Sequence, residues 1–447
     1  MIAWDDLRGK RVGVWGLGRE GQANLRKLRS MNIDPLLVDD HPAEPPGEPP
    51  GEPPRVLATA DGGLDAMKAC DVVVKTPGIS RYRPDVTELT AAGVTVLGGL
   101  GLWLAGADLS RVLCVTGTKG KSTTSSVTGH LLTGLGYRCM VGGNIGVAPY
   151  DPALQDPDYW VIEVSSYQAT DLQCAPPVVA VTSLHPDHLD WHGGVEQYYR
   201  DKLSLCSRPG ADLTVANGDS DLLRERRDLL GPRVDWVSAD SADATWAEPL
   251  GLRGQHNRRN ALIARRCLQA LGIAAAQDDA AMHAAAAGYQ PLPSRLTTVG
   301  SVGGVTFVDD SLSTNVLPTL AALDAFPGER IALIVGGHDR GIDYAPLAAG
   351  IAARGAPTLV LCIPDSGTRI HAAVKAAGYP DVLDCASLPA AVDAGFRWAR
   401  PDGVVLMSPA APSFGQFRDY QDRGEAFGRS VLDLDAEVMG EHRGEPD

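Results

Sequence analysis

Basic residues are in deficit along this chain: 40 Lys and Arg stand against 55 Asp and Glu, a formal net charge of −15. Nucleic acid and anionic membrane surfaces are met by clustered Lys and Arg, so neither is expected as a partner. An anionic small molecule would need a local positive site instead. The eight cysteines are scattered and no two form a C-x-x-C pair. That pattern suits reduced core thiols better than a disulfide framework or a zinc site. No charged-then-apolar segment opens the sequence, and no apolar run is long enough to span a bilayer, which leads us to expect a cytoplasmic protein. With 447 residues and 44% hydrophobic content, two or three domains are expected from a prior of about 150 residues each.

What is present is most informative over residues 111–124. The apolar run Val112-Leu113-Cys114-Val115 breaks into Thr116-Gly117-Thr118-Lys119-Gly120-Lys121-Ser122-Thr123-Thr124. This reads as a buried strand, a phosphate loop and a helix start. Two glycines let backbone N–H groups close around a triphosphate, Lys121 reaches its terminal oxygens and the Ser122 hydroxyl can hold magnesium. Val115 stands where the usual longer loop has its first glycine. Nucleotide hydrolysis or phosphoryl transfer is the leading expectation.

Three segments follow from the patterning. The first, residues 1–98, has a strand leading into Gly16-Leu17-Gly18-Arg19-Glu20-Gly21, and a second apolar strand ending in Asp39-Asp40. Taken singly this is a dinucleotide-binding fingerprint or a tight turn without a ligand. The Pro-Pro-Gly-Glu repeat of 41–55 is too stiff and polar for a core and reads as an exposed loop. Another buried strand over 71–75 runs into Thr76-Pro77-Gly78. The second segment, 99–298, carries the phosphate loop and alternates strands with helix-length stretches, as a parallel sheet wrapped on both faces does. The third, 299–447, reads as a further open α/β domain, with strands at 305–308, 331–335, 358–362 and 404–407 and ligands beyond their carboxyl ends. The Ala-rich stretch 273–287 is expected to be one helix.

Polar residues at strand ends supply candidate chemistry. Glu163 ends an apolar strand and is the better magnesium ligand, because that ion takes a few oxygens plus substrate phosphates. His185, His188 and His192 could each be structural, and no further His or Cys completes a zinc spacing. Lys202 by itself reads as a solvated helical lysine. Asn257 and Asn260 stand where a helix opens, to cap it or to meet a base or phosphate. Asp310 could meet a ribose hydroxyl or begin a turn.

Seven motifs occur in order: Thr-Gly-Thr-Lys-Gly-Lys-Ser-Thr from Thr116, Glu-Val-Ser-Ser-Tyr-Gln from Glu163, Pro-Asp-His-Leu-Asp-Trp-His-Gly from Pro186, Asp201-Lys202-Leu203, Gly-Gln-His-Asn-Arg-Arg-Asn from Gly254, Pro293-Ser294-Arg295, and Asp-Asp-Ser-Leu-Ser-Thr-Asn from Asp309. Together they resemble the Mur ligases of peptidoglycan synthesis, and within them the members that add glutamate to UDP-N-acetylmuramoyl-L-alanine. The resemblance spans nearly the whole chain. It implies a UDP-binding Rossmann-like domain, a central ATPase and a mobile C-terminal Rossmann-like domain that closes to exclude water. Gly16, Gly18, Asp39, Thr76, Pro77, Gly78 and Asn144, with His188, would serve the UDP substrate. Gly117, Thr118, Lys119, Gly120, Lys121, Ser122, Thr123, Asn257, Asn260, Arg295 and Asp310 would bind ATP. Ser122 and Glu163 would hold one magnesium ion, and His188 and an N-carboxylated Lys202 a second; Lys121, Glu163, His188 and Lys202 form the implied catalytic set. The implied reaction phosphorylates the substrate carboxylate with ATP and lets the glutamate amine displace phosphate. A monomer is expected.

The glutamate side departs from the pattern. Glutamate-adding members usually read Asp-Ser-Lys-Ala-Thr-Asn and Gly-Gly-Asp-Gly-Lys, whereas here Leu312 and Arg340 replace the two lysines. Thr314, His338, Arg340, Ser408 and Phe417 remain as candidate glutamate contacts. An Arg fork is not a neutral substitute for a Lys ammonium. The replacements look like a variant branch that adds L-glutamate, whose product a partner epimerase would invert; D-glutamate is the alternative. A folate polyglutamylating ligase would not carry the N-terminal domain, an oxidoreductase leaves the phosphate loop unexplained, and a non-catalytic nucleotide-binding regulator has no use for the four catalytic residues together.

Overall fold

The computed structural model describes residues 1–42, 56–240 and 243–443, with side chains described as far as residue 438. Apart from His41 and Pro42, the Pro-Pro-Gly-Glu repeat lies outside the described residues. Two compact units are present, one of residues 1–249 with 259–289, the other of residues 250–258 with 290–447.

The first unit holds two parallel sheets. Strands β1 (Val12–Trp15), β2 (Leu36–Asp39), β3 (Val56–Ala58), β4 (Val72–Lys75) and β5 (Thr95–Gly98) are ordered β3-β2-β1-β4-β5. Strands β6 (Val112–Thr116), β7 (Cys139–Gly143), β8 (Tyr159–Glu163), β9 (Val178–Val181), β10 (Leu213–Asn217) and β11 (Arg233–Val237) are ordered β11-β10-β9-β6-β8-β7. β1, β4, β6 and β9 are buried along their whole length. Continuous apolar runs, rather than alternation, are what a sheet covered on both faces requires. In both sheets the chain order reverses beside the first strand, and such a switch point leaves a crevice at the carboxyl ends. Gly16 and Thr76 follow β1 and β4; the phosphate loop follows β6 between the ends of β8 and β9.

The second unit holds β12 (Thr297–Val302), β13 (Val305–Asp309), β14 (Ile331–Val335), β15 (Thr358–Cys362), β16 (Val382–Asp384) and β17 (Val404–Met407), ordered β12-β13-β17-β14-β15-β16. β12 pairs antiparallel with β13 across Gly303-Gly304, and the remaining pairs are parallel. The sequence reading finds no strand at β12, because its Thr-Thr-Val-Gly-Ser-Val run lacks the apolar density of the others and it sits half-exposed at the sheet edge. The Ala-rich stretch is not the single helix expected. It is a short 3-10 turn, Ala274–Gln277, followed by a helix, Asp279–Ala286. Asp278 separates them by accepting hydrogen bonds from the N–H groups of Ala280 and Ala281, and such capping outweighs alanine's preference for a continuous helix.

The turn from β1 into the helix Arg19–Ser30 shows why two of its glycines differ. A Cβ on Gly21 would lie 1.9 Å from the Gly16 carbonyl oxygen, whereas one on Gly18 would meet nothing within 4 Å. Gly21→Ala should therefore lower the unfolding midpoint by the equivalent of about 1–3 kcal/mol, the usual cost of forcing extra volume into a packed site. Gly18→Ala should stay within about 0.5 kcal/mol of the parent. Thermal or urea unfolding of the two variants checks this, and equal effects would contradict it.

Candidate functional site

The phosphate loop is built by its neighbours as much as by its own residues. Gly117 and Gly120 hold φ of +134° and +87°, values that L side chains rarely adopt. The loop is tied down from the end of β9. Thr182 Oγ1 donates to the Lys119 carbonyl at 2.6 Å, Ser183 Oγ accepts from the Lys119 N–H at 2.8 Å, and the Ser183 carbonyl accepts from the Thr118 N–H at 2.9 Å. The hydroxyls of Thr118 and Tyr198 lie 2.8 Å apart. Thr182 and Tyr198 escape the sequence reading; the available signal was only a polar residue after an apolar strand and an aromatic one helical turn before Lys202. Asn260 Oδ1 lies against Gly120, 2.8 Å from where a Cβ would be. Ser122 and Thr123 occupy the first turn of the helix Lys121–Gly134.

Two lysines converge beneath this loop. Lys121 Nζ donates to the carbonyls of Gly117 and Thr118 at 2.9 and 3.1 Å. Lys202, from the helix Val195–Leu203, is buried at 2% exposure and donates to the same Gly117 carbonyl at 2.9 Å, 5.1 Å from the centre of the Tyr198 ring. Burial, reinforced by the Lys121 ammonium, holds the Lys202 amine well below the ordinary lysine range. The default reading of a solvated lysine is thus overturned: the apolar face of the helix turns Lys202 inward with Tyr198, Tyr199 and Leu203.

Glu163, at the end of β8, is buried. Its Oε1 accepts from Asn144 Nδ2 at 2.6 Å, and its Oε2 has no hydrogen-bond partner among the described residues. A buried carboxylate oxygen without a donor is costly. The donor set fits a hard cation at this edge of the loop. His188 has a left-handed φ of 52°, and its half-exposed ring lies 5.1 Å from that of Tyr167. Partial desolvation beside the lysines of the loop keeps its pKa below the usual histidine value despite the Asp187 carboxylate nearby. His192 is the structural one of the histidines: fully enclosed, it bonds Asp201 through Nδ1 at 2.6 Å and the Ser166 hydroxyl through Nε2 at 3.0 Å.

On the side of the first sheet, Asp39 accepts from the Leu17 N–H at 2.7 Å and so braces the glycine turn. Thr76, Pro77 and Gly78 follow β4. The two sheets of this unit are joined by the Arg26–Asp151 pair at 2.6 Å, a buried pair between Lys75 and Asp171, and a hydrogen bond from Arg19 to the Asn144 carbonyl at 2.9 Å. Asn144 therefore touches the helix that follows β1 through its backbone and Glu163 through its side chain. Lys75 ends β4 and Asp171 follows the helix Ser166–Ala169; both adjoin motifs read in the sequence, but neither was itself a candidate there.

In the second unit Asp310 is buried and accepts from Ser313, from Ser408 Oγ at 2.7 Å and from the Leu296 N–H at 3.3 Å. Ser408 is directed to Asp310 rather than outward. Arg340 and His338 are exposed, the Arg340 guanidinium 5.8 Å from the centre of the Phe414 ring, and Thr314 is half-buried. The His338 N–H donates to the Pro412 carbonyl at 2.8 Å and that of Phe417 to the Ser413 carbonyl at 3.1 Å. Arg423, absent from the sequence reading, is fully buried and donates to the carbonyls of Ser311 and Ala411 at 2.8 and 3.0 Å, tying the loops after β13 and β17 together. Arg295 Nη1 donates to the Pro293 carbonyl at 3.4 Å, and Asn257 Nδ2 to the Arg253 carbonyl at 2.9 Å.

Residues 115–249 match the Mur ligase middle domain and residues 294–411 match the Mur ligase, glutamate ligase domain. The chain belongs to the Mur ligase family. It is an ATP-dependent ligase of the three-domain α/β fold. A Micromonospora protein with the name UDP-N-acetylmuramoyl-L-alanine--L-glutamate ligase is 42% identical, the match covering 96% of this chain and 98% of that one. A protein of the same name from Xanthomonas euvesicatoria pv. vesicatoria is 38% identical over 94% of this chain and 95% of its own. The crystal structure of UDP-N-acetylmuramate-alanine ligase from Thermotoga maritima shares the fold at a TM-score of 0.57 and 18% identity, covering 95% of this chain and all of its own.

Burial raises the Asp310 pKa from 3.8 to about 7. A raised folded-state pKa means stability present in acid and lost as pH climbs from about 4 through about 7, because the unfolded chain releases the proton first. Asp310→Asn removes that proton release. Its stability relative to the parent should therefore rise across this window by a few kcal/mol, at about 1.4 kcal/mol for each step of one in pH. Urea unfolding of both proteins at pH 4, 5.5 and 7.5 measures this, and parallel pH profiles would contradict it.

Proposed function

We propose that this ligase adds L-glutamate to UDP-N-acetylmuramoyl-L-alanine in peptidoglycan precursor synthesis, with ATP as the energy source. The substrates follow from the names of relatives that match almost end to end. The observation that carries the chemistry is the buried Glu163 oxygen without a donor, next to a phosphate loop that two lysines share. Ser122 and Glu163 would hold one magnesium ion, with His188 and carboxylated Lys202 for a second, and these ions would neutralise phosphate charge. Carboxylation suits a lysine whose burial beside Lys121 disfavours the ammonium, since it replaces two like charges with an opposite pair.

In this reading ATP lies on the loop, its phosphates against Gly117 to Thr123 with Asn260 beside Gly120; Asn257, Arg295 and Asp310, the other expected ATP contacts, belong to the second unit, where the Asp310 carboxyl is held by Ser313 and Ser408. Lys121 swings from the loop carbonyls to the transferring phosphate. The carboxylate of UDP-N-acetylmuramoyl-L-alanine, held through the turns after β1 and β4 and by Asn144, takes up the phosphoryl group and ADP departs. The glutamate amine then attacks the acyl carbon, loses a proton, and phosphate leaves with the former carboxylate oxygen. Positioning and charge neutralisation carry both steps, so no protein nucleophile is required.

Leu312 and Arg340 support the L stereoisomer. The side chain at 312 offers no charge to a carboxylate, and Arg340 presents a wider fork than lysine. Thr314, His338 and Phe417 complete the proposed glutamate side; Ser408, expected there from the sequence, is instead enclosed with its hydroxyl on Asp310. One domain division follows residue 98; the other, expected after residue 298, has to precede β12, which begins at Thr297. The enzyme acts as a cytoplasmic monomer whose product passes to an epimerase. Among the described residues no helix is long and apolar enough to cross a membrane.

Phosphate release with ATP, magnesium and UDP-N-acetylmuramoyl-L-alanine, measured on adding L- or D-glutamate separately, tests the proposal. Release is expected with L-glutamate, at a kcat/KM at least tenfold above that for D. Release with D alone would overturn the stereochemistry, and no amine-dependent release with either isomer would overturn the reaction.

A further inference from the structure

The edge of the third sheet brings together three side chains of different chemistry. Cys362 ends β15 and Asp384 ends β16, and the two are register partners across the parallel pair. Partners in register project to the same face of a sheet. The helix Gly367–Ala376 connects these strands and carries His371, whose Nδ1 lies 2.8 Å from Asp384 Oδ1. One ligand atom from each residue falls in a set whose members all lie within 4.8 Å of one another. Cys385, the next residue, packs with the core cluster on the opposite side of the sheet from that of Cys362, so its sulfur does not join them.

A His–Asp contact alone is an ordinary exposed pair of small energetic value. The sulfur changes its chemistry. Thiolate, imidazole and carboxylate together are a donor set that zinc accepts, whereas magnesium and calcium prefer oxygen alone. Cys362 is 2% exposed, and the His371 and Asp384 side chains are 26% and 67% exposed, so the nitrogen and oxygen ligands reach solvent while the sulfur is sheltered. Three protein ligands leave a fourth tetrahedral position to water.

We propose that Cys362, His371 and Asp384 form a binding site for a thiophilic divalent cation of the zinc type, separate from the ATP-side magnesium positions. Binding would displace the thiol proton to solvent and fasten β15, β16 and the intervening helix to one ion. In sequence the ligands spread over 23 positions with no recognisable spacing; the strand register is what assembles them.

Cobalt titration of the chelator-treated full-length protein tests the site, because tetrahedral Co²⁺ bound to a thiolate gives visible ligand-field bands and a near-ultraviolet sulfur-to-metal band. The expected result is saturation at one equivalent, reversal by zinc, loss of the sulfur band in Cys362→Ser, and at least about tenfold weaker binding in Asp384→Asn, given that even groups behind a metal's ligands contribute 10–100-fold. Asp384 is exposed, so that second variant should keep its fold and leave the test valid if Cys362→Ser does not. Absence of a sulfur band in the parent, or unchanged titration in Asp384→Asn, would overturn the proposal. Neither reading depends on ligase activity.

Discussion

The Gly117 carbonyl oxygen accepts from two lysines at once, and the rest of the first unit's site depends on how that crowding is relieved. Two ammonium groups sharing one carbonyl in a buried position repel each other, and burial adds a solvation cost to whichever is enclosed. Lys202 is the enclosed one. Its amine is held well below the ordinary lysine range, so under the proposed function it is the lysine that would give up its charge while Lys121 meets the phosphates. Glu163 makes the complementary demand, a buried carboxylate oxygen that lacks a donor. Under the proposed function a phosphate-bound cation would answer the Glu163 demand, and with Lys202 carboxylated it would tie the loop, the end of β8 and the helix Val195–Leu203 into one electrostatic unit.

Candidate residues sit after strand carboxyl ends in all three sheets. The first two sheets begin next to a point where strand order reverses, the third instead takes its last strand β17 between β13 and β14, and in each the residues of interest follow the carboxyl ends of neighbouring strands. Gly16 and Thr76 do so in the first sheet, the phosphate loop and Glu163 in the second, and Asp310, Gly336 and Ser408 in the third. Asn144 and the Lys75–Asp171 pair couple the first two sheets, so the turn that would hold a UDP sugar and the carboxylate that would hold metal share a common brace. In the second unit Arg423 plays the bracing part through backbone carbonyls.

The central strands were legible because buried parallel strands are written as unbroken apolar runs; Ile331–Val335, Thr358–Cys362 and Val404–Met407 match their expected bounds. β12 was not, since an edge strand half-exposed to water needs no such run. The phosphate loop and Glu163 could be read locally, because their roles depend on glycine backbone geometry and a strand-end carboxylate. Lys202 could not be read from its own helix, where the resemblance to a family supplied what periodicity left open. Thr182, Tyr198, Asp171 and Arg423 act on residues distant in sequence, and only the sheet order brings them there. Ser408 shows the converse: its position after β17 was evident, but its hydroxyl is committed to Asp310.

The account rests on Lys202 giving up its ammonium charge to become an oxygen ligand beneath the loop. Carbon-13 NMR of the protein equilibrated with labelled bicarbonate, with Lys202→Ala as control, addresses that claim most directly. A carbamate resonance in the parent that is absent from the variant, and that shifts on adding magnesium and ATP, is the predicted result. A parent spectrum with no carbamate signal, in protein that still forms product at its full rate, would contradict it.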